Sequence, residues 1–185
     1  MPVRAVRIPP VDLTTLSADD RALVSKAAVT DGRIDNIFQV MGNNPALLRR
    51  WLVFASHILT KQTCPPRERE LAILRIGWLN QAEYEWAQHV VIGRRAGLTD
   101  AEIDRIRDGA NAPGWSPDDA AILQAVDDLF ERHVVGDATW AALAERWSTE
   151  QLMDLVFTIG QYNLVSWALN SFGVQLDDHL TGFDG

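Results

Sequence analysis

A chain of 185 residues, 47% hydrophobic and 23% charged, suits one domain with a substantial core and leaves little room for a second. Its net charge of −8 argues against sequence-independent nucleic-acid binding, which draws on clustered cations, and against docking on anionic lipid. With one cysteine, Cys64, neither an internal disulfide nor a thiolate zinc site is available.

The opening MPVRAVRIPPVDL holds no apolar run long enough for a signal-peptide core. Apolar stretches such as Trp51 to Ala55 fall far short of the roughly 20 residues of a membrane span. The expectation is a cytoplasmic protein. Pro2, Pro9 and Pro10 interrupt regular structure, so residues 1–16 read as an extended arm, either laid on a neighbouring subunit or loosely held.

Residues 17–176 read as helix after helix. Ser17 caps a first helix to about Ala28, ended by Asp31-Gly32. A short helix covers Ile34 to Met41. Asn44-Pro45 starts another, with Leu47, Leu48, Trp51, Leu52, Phe54, Ala55 and Ile58 at helical spacing. After a break at 63–66, a helix runs from Pro66 to about Asn80. Its apolar residues cover most of its circumference, which places it in the core. The next spans Ala82 to Ala96 and stops at Gly97, a left-handed position. Thr99 and Glu102 form a capping box for a helix to Arg107, and Ser116-Pro117 opens one to Arg132. A further helix is expected over 139–147. Ser148 with Gln151 caps the last, which runs through Gly160 to Phe172. Mid-helix, Gly160 costs about 1 kcal/mol against alanine and marks a break or a close approach. Residues 177–185 read as a polar tail. No strand pattern of useful length is present, so the fold class is all-α, with eight to ten helices.

Two segments carry chemistry: Arg67-Glu68-Arg69-Glu70-Leu71 and Glu83-Tyr84-Glu85-Trp86-Ala87-Gln88-His89. Their helices, joined by a short turn, pack antiparallel. Glu85 and His89, at i and i+4, share a face, with Ala82 and Trp86 on or near it. Glu70 precedes a strongly apolar run, where a carboxylate needs a partner. His89 is the natural one. A carboxylate beside an imidazole raises its pKa and holds one tautomer, the basis of a general acid/base unit. Glu85 offers a second carboxylate to divide acid and base roles. The plain alternative is a surface Glu85–His89 pair without function. A metal would need Glu70, Glu85, His89 and His57 together, and none is expected. His57, after an apolar run, faces either a pocket or the core.

The stretch 67–75 (RERELAILR), then 83–89 (EYEWAQH), then 96–103 (AGLTDAEI) resembles the carboxymuconolactone decarboxylase family and its AhpD-like alkylhydroperoxidases. The core of the resemblance covers about 66–109. Asn44-Pro45-Ala46-Leu47-Leu48 and Tyr162-Asn163 fit the longer members. The AhpD-like peroxidases carry a glutamate, a Cys-x-x-Cys pair and a histidine. Carried across, the glutamate falls on Glu70, the cysteines on Ala82 and Glu85, and the histidine on His89. Both thiols are absent, and thiol peroxidase chemistry needs one to attack and one to resolve. The resemblance therefore implies the decarboxylase branch: an AhpD-like helical bundle doing cofactor-free acid/base chemistry on a small carboxylic acid or lactone. Glu70, Glu85 and His89 would be catalytic, with Ala82, Trp86 and His57 around the substrate in an apolar, aromatic pocket. It also implies a homo-oligomer (dimer, trimer or hexamer), with the helix around Trp51 and the arm as interface elements. A ligand-binding scaffold without turnover, or a redox protein using Cys64, stays open beside it.

Overall fold

Residues 4–183, apart from 28 and 31, are described by the computed structural model. Among them are nine α-helices: α1 (Ala18–Ala27), α2 (Asn36–Met41), α3 (Pro45–Ser56), α4 (Pro66–Leu79), α5 (Glu83–Arg95), α6 (Asp100–Ile106), α7 (Pro117–Arg132), α8 (Asp137–Ala144) and α9 (Thr149–Phe172). No helix among the described residues is long and apolar enough to cross a membrane.

Local chemistry sets most of the boundaries. The Ser17 hydroxyl accepts from the Asp20 amide, and Asn44 caps α3 through the Leu47 amide, with Pro45 in the first turn. Both capping boxes form, Thr99 with Glu102 and Ser148 with Gln151. The expected end of α1 at Ala28 and Asp31 lies outside the described residues. Three expectations change. Helix α3 stops at Ser56, and His57–Lys61 form a wider π-type turn rather than its continuation. Helix α8 begins two residues earlier than expected, behind Gly136, and ends at Ala144. Val29 and Thr30 pair antiparallel with Ile34 and Arg33, a ladder too short to show as alternation in sequence.

Helix α4 is the centre of the fold. Leu71, Ala72, Ile73, Leu74 and Ile76 are all buried, on every side of it, against α5, α7 and α9. Even an arginine of this helix is internal: Arg75 donates to Asp127 (2.7 Å) and to the Ile106 and Arg107 carbonyls (2.9 Å each). It thereby satisfies the open carbonyl end of α6.

Residues 7–11 and 177–183 bond back to the body of the chain. Residues of the arm donate from Arg7 and Ile8 to the Phe172 carbonyl (2.9 and 3.1 Å), and from Val11 to Gln39 (3.0 Å). The polar segment after 176 is docked too. Asp177 accepts from the Tyr84 hydroxyl (2.6 Å), Gln88 (3.0 Å) and the Asn36 amide (2.9 Å). Phe183 stands edge-on to Trp78, with ring centroids 5.1 Å apart. Polar composition hid these contacts because their partners are distant in sequence.

A buried carboxylate–histidine cluster

The turn between α4 and α5 is tight. Gln81 takes a left-handed φ of 51°, and the Ala82 amide bonds back to the Gly77 carbonyl. No side chain larger than hydrogen fills position 77, so the Glu85 stem comes within 3.6 Å of where a Cβ would stand. The two helices thus approach closely, and Glu70, Glu85 and His89 meet between them.

Glu70 is fully buried, and each of its oxygens holds a cation. Oε2 lies 2.6 Å from His89 Nδ1 and Oε1 accepts from Arg69 Nε at 3.0 Å. Glu85 Oε1 lies 3.0 Å from His89 Nε2, one turn along the same helix. The separation is that of an ion pair, but the alignment is not that of a hydrogen bond, and Oε1 is buried with no donor satisfied by it. Tyr162 of α9 packs edge-to-face on the imidazole, centroids 4.7 Å apart at 81°.

The charges follow from these neighbours. Burial alone would push His89 down; Glu70 and then Glu85 outweigh it and hold the imidazole up at about 10. Burial likewise opposes the Glu70 carboxylate, but His89 and Arg69 keep it below the ordinary carboxylate range. His89 is therefore a cation at neutral pH, flanked by two carboxylates and balanced with Arg69. Burial, then Glu85 and Glu70, hold the Tyr162 phenol neutral, a donor rather than an anion. The cluster offers a proton at Nε2, an acceptor at Glu85 Oε1 and a neutral hydroxyl. Both ring nitrogens of His89 face carboxylates. Among the described residues no three His, Cys, Asp or Glu side chains form a metal-holding group.

The other expected site residues are placed differently. Ala82 is buried at the start of α5. Trp86 is buried between Trp78 and Phe183, so the space beside it is filled by the chain itself. His57 does not join the cluster: it lies in the π-type turn, its side chain half exposed, with Nε2 3.2 Å from Asp154. Cys64 is buried and donates to the Gln151 carbonyl at 3.3 Å; burial and then Asp154 push its thiol up to about 12. Three surface cavities are lined elsewhere, around Asn36 and Asp177, around Tyr84 and Leu169, and around Phe157 and Gly160. None of the three touches Glu70, Glu85 or His89. Sequence reading missed Arg69 as the second partner of Glu70 and Tyr162 as the ring on His89. The first sits one residue away, the second on a helix whose packing no local signal reveals.

The chain thus has an all-helical core with a buried Glu–His–Glu cluster across one helical hairpin. Residues 45–128 match the model of the carboxymuconolactone decarboxylase family. No curated protein matches the sequence. Among solved structures, an uncharacterised peroxidase-related protein from Ralstonia eutropha JMP134, described as an alkylhydroperoxidase AhpD core, superposes with a TM-score of 0.82. The pair is 21% identical over 96% of this chain and 94% of that one. A peroxidase-related protein from Silicibacter sp. TM1040 gives 0.80 at 12% identity, covering 96% and 94%. A variant of the debrominase Bmp8, solved with 2,3,4-tribromopyrrole, gives 0.73 at 13% identity, covering 94% and 93%. At these identities the likeness is one of fold.

Proposed function

We propose that this chain is a cofactor-free acid/base enzyme of the carboxymuconolactone decarboxylase kind. Its substrates are small carboxylic acids or lactones, and its reaction is a decarboxylation, isomerisation or lyase-type step. One observation carries the reading: the buried Glu85 Oε1, without a hydrogen bond, beside an imidazole held protonated. A purely structural ion cluster has no use for a buried acceptor left unsatisfied.

In a decarboxylation the bond to the substrate carboxylate breaks, and its electron pair passes to the carbon left behind. His89 Nε2 then delivers its proton to that carbon while carbon dioxide departs. Glu70 holds the ring from Nδ1 and stabilises the cation before transfer; the one proton the reaction consumes is replaced from the solvent proton pool, with Glu85 relaying it to Nε2. The Tyr162 hydroxyl donates to an oxygen that gains charge. The debrominase solved with a tribrominated pyrrole supports a small, planar substrate for this fold. Its chemistry is not carried over, since at 13% identity the likeness is one of fold. A redox role for Cys64 is disfavoured by its raised thiol, because the thiolate is the reactive form.

The test is turnover of small lactones, β-keto acids and unsaturated diacids by wild type and His89→Ala. The variant should keep its helical circular dichroism and lose about a thousandfold in rate. Undiminished turnover in His89→Ala contradicts the assignment. A second reading, a binding or scaffold protein, is favoured by the absence of Glu70, Glu85 and His89 from the three cavities. It predicts no turnover by wild type and a lower melting temperature in the variant.

A further inference from the structure

The segment after α9 is held at two points. Asp177 anchors it to Asn36, Tyr84 and Gln88, and Phe183 fills a recess formed by Trp78 of α4, Trp86 of α5 and Arg107 at the end of α6. Between the anchors the backbone makes one internal turn bond, Leu180 to Asp177 (2.9 Å), and Asp178, His179 and Thr181 are exposed. A segment held this way opens at low cost in free energy.

The recess combines aromatic faces with charge. Phe183 stands edge-on to Trp78 at 87° and lies tilted on Trp86, centroids 6.0 Å apart. The Arg107 guanidinium lies over both indoles, 5.1 and 5.3 Å from their centroids. The main chain of Phe183 is gripped on both sides of its α-carbon. Its amide donates to Glu83 Oε1 at 3.3 Å, and its carbonyl accepts from Arg107 Nη2 at 3.1 Å. Gly182 lets the chain cross the Glu83 carboxylate, since a Cβ there would stand 2.8 Å from Glu83 Cδ.

We infer that this recess is a binding site for a free aromatic α-amino acid, with Phe183 as its resident occupant.

The charges carry the inference. An anion faces the amide of Phe183 and a cation faces its carbonyl, yet both groups are neutral within a peptide. Arg107 is poorly compensated: the Asp104 carboxylate stands off at 3.7 Å and is 74% exposed. Arg107 Nε is buried without a hydrogen-bond partner among the described residues. Arg75 shows the contrast, with Asp127 and two carbonyls around its guanidinium. A free amino acid turns both contacts into ion pairs. Its ammonium meets Glu83, and its carboxylate meets Arg107 with a second oxygen for Nε. Hydrogen bonds to ionised groups are about twice as strong as neutral ones. The aryl side chain takes the place of the Phe183 ring between the indoles. A zwitterion carries no net charge, so a chain of −8 does not repel it. Beside Phe183, a cavity of about 420 Å³ lined also by Arg4, Gln81, Glu83 and Tyr84 gives the route in. The inference does not rest on the acid/base reading. It uses no property of Glu70, Glu85 or His89, and its test reads binding rather than turnover.

Isothermal titration of the full chain with L-phenylalanine tests it. The tail competes as a tethered ligand at an effective concentration in the millimolar range, so wild type should bind at least about tenfold more weakly than Phe183→Ala. Phe183→Leu, which keeps apolar bulk over the indoles, should fall between the two. In the Phe183→Ala background, Arg107→Gln and Glu83→Gln should each weaken binding about tenfold, with helical circular dichroism unchanged. Phenylalaninamide and N-acetyl-L-phenylalanine, which each lack one of the two charges, should bind Phe183→Ala more weakly than L-phenylalanine by a similar factor. No binding to Phe183→Ala at about 10 mM overturns the inference. So does an affinity that fails to rise from wild type through leucine to alanine. So does binding indifferent to both glutamines, or a neutralised ligand that binds as tightly as the zwitterion.

Discussion

Glu70 holds a cation on each oxygen, and this decides the charge of its neighbour. His89 is raised from 6.5 to about 10, so its contribution to stability is fully present below 6.5 and is lost as pH rises through about 10. Glu70 is lowered from 4.5, so its contribution is present above 4.5 and is lost as pH falls through the lowered value. Melting temperature should therefore be highest between these limits and decline on the alkaline side. Thermal unfolding in a pH series checks this: wild type should lose stability from neutral pH towards 10, and His89→Ala should lose that slope. An alkaline limb identical in the two proteins would contradict the ion pair.

At the scale of elements, Gly109 shows how a loop is held to a helix. It follows α6 with φ +81°, and a Cβ there would lie 2.5 Å from Arg75 Nη2. Gly109→Ala therefore strains the backbone and displaces the guanidinium that closes the end of α6. We expect a loss of about 2 kcal/mol or more in urea unfolding. A change within about 0.5 kcal/mol would mean that Arg75 reorients freely. Helix starts were legible in the sequence because caps are local: Ser17, Asn44, Thr99, Ser116 and Ser148 all act where their neighbours imply. The turn at His57–Lys61 was not, since Ile58 keeps the apolar spacing of α3 and is buried either way. Gly160 was read as a break or a close approach. Helix α9 runs through it unbroken, and a Cβ there would meet nothing within 4 Å among the described residues.

Across the whole molecule, what sequence shows is which residues share a face; what it conceals is which distant residues they meet. Glu85 and His89 at i and i+4 were legible on those terms, and so was Glu70 as a carboxylate needing a partner. The Tyr162 ring on His89, the Asp154 partner of His57 and the docking of Phe183 on Trp78 each join positions far apart in the chain. Hydrophobic pattern placed α4 in the core but left the space beside Trp86 open, where Phe183 fills it. Nuclear magnetic resonance titration of the His89 ring nitrogens tests most directly whether this histidine is a buried cation able to donate a proton. Wild type should show both nitrogens protonated through neutral pH and lose the proton near 10, with Glu70→Gln titrating well below that. A neutral imidazole at neutral pH in wild type would contradict the charge assigned to the cluster and the proton donor built on it.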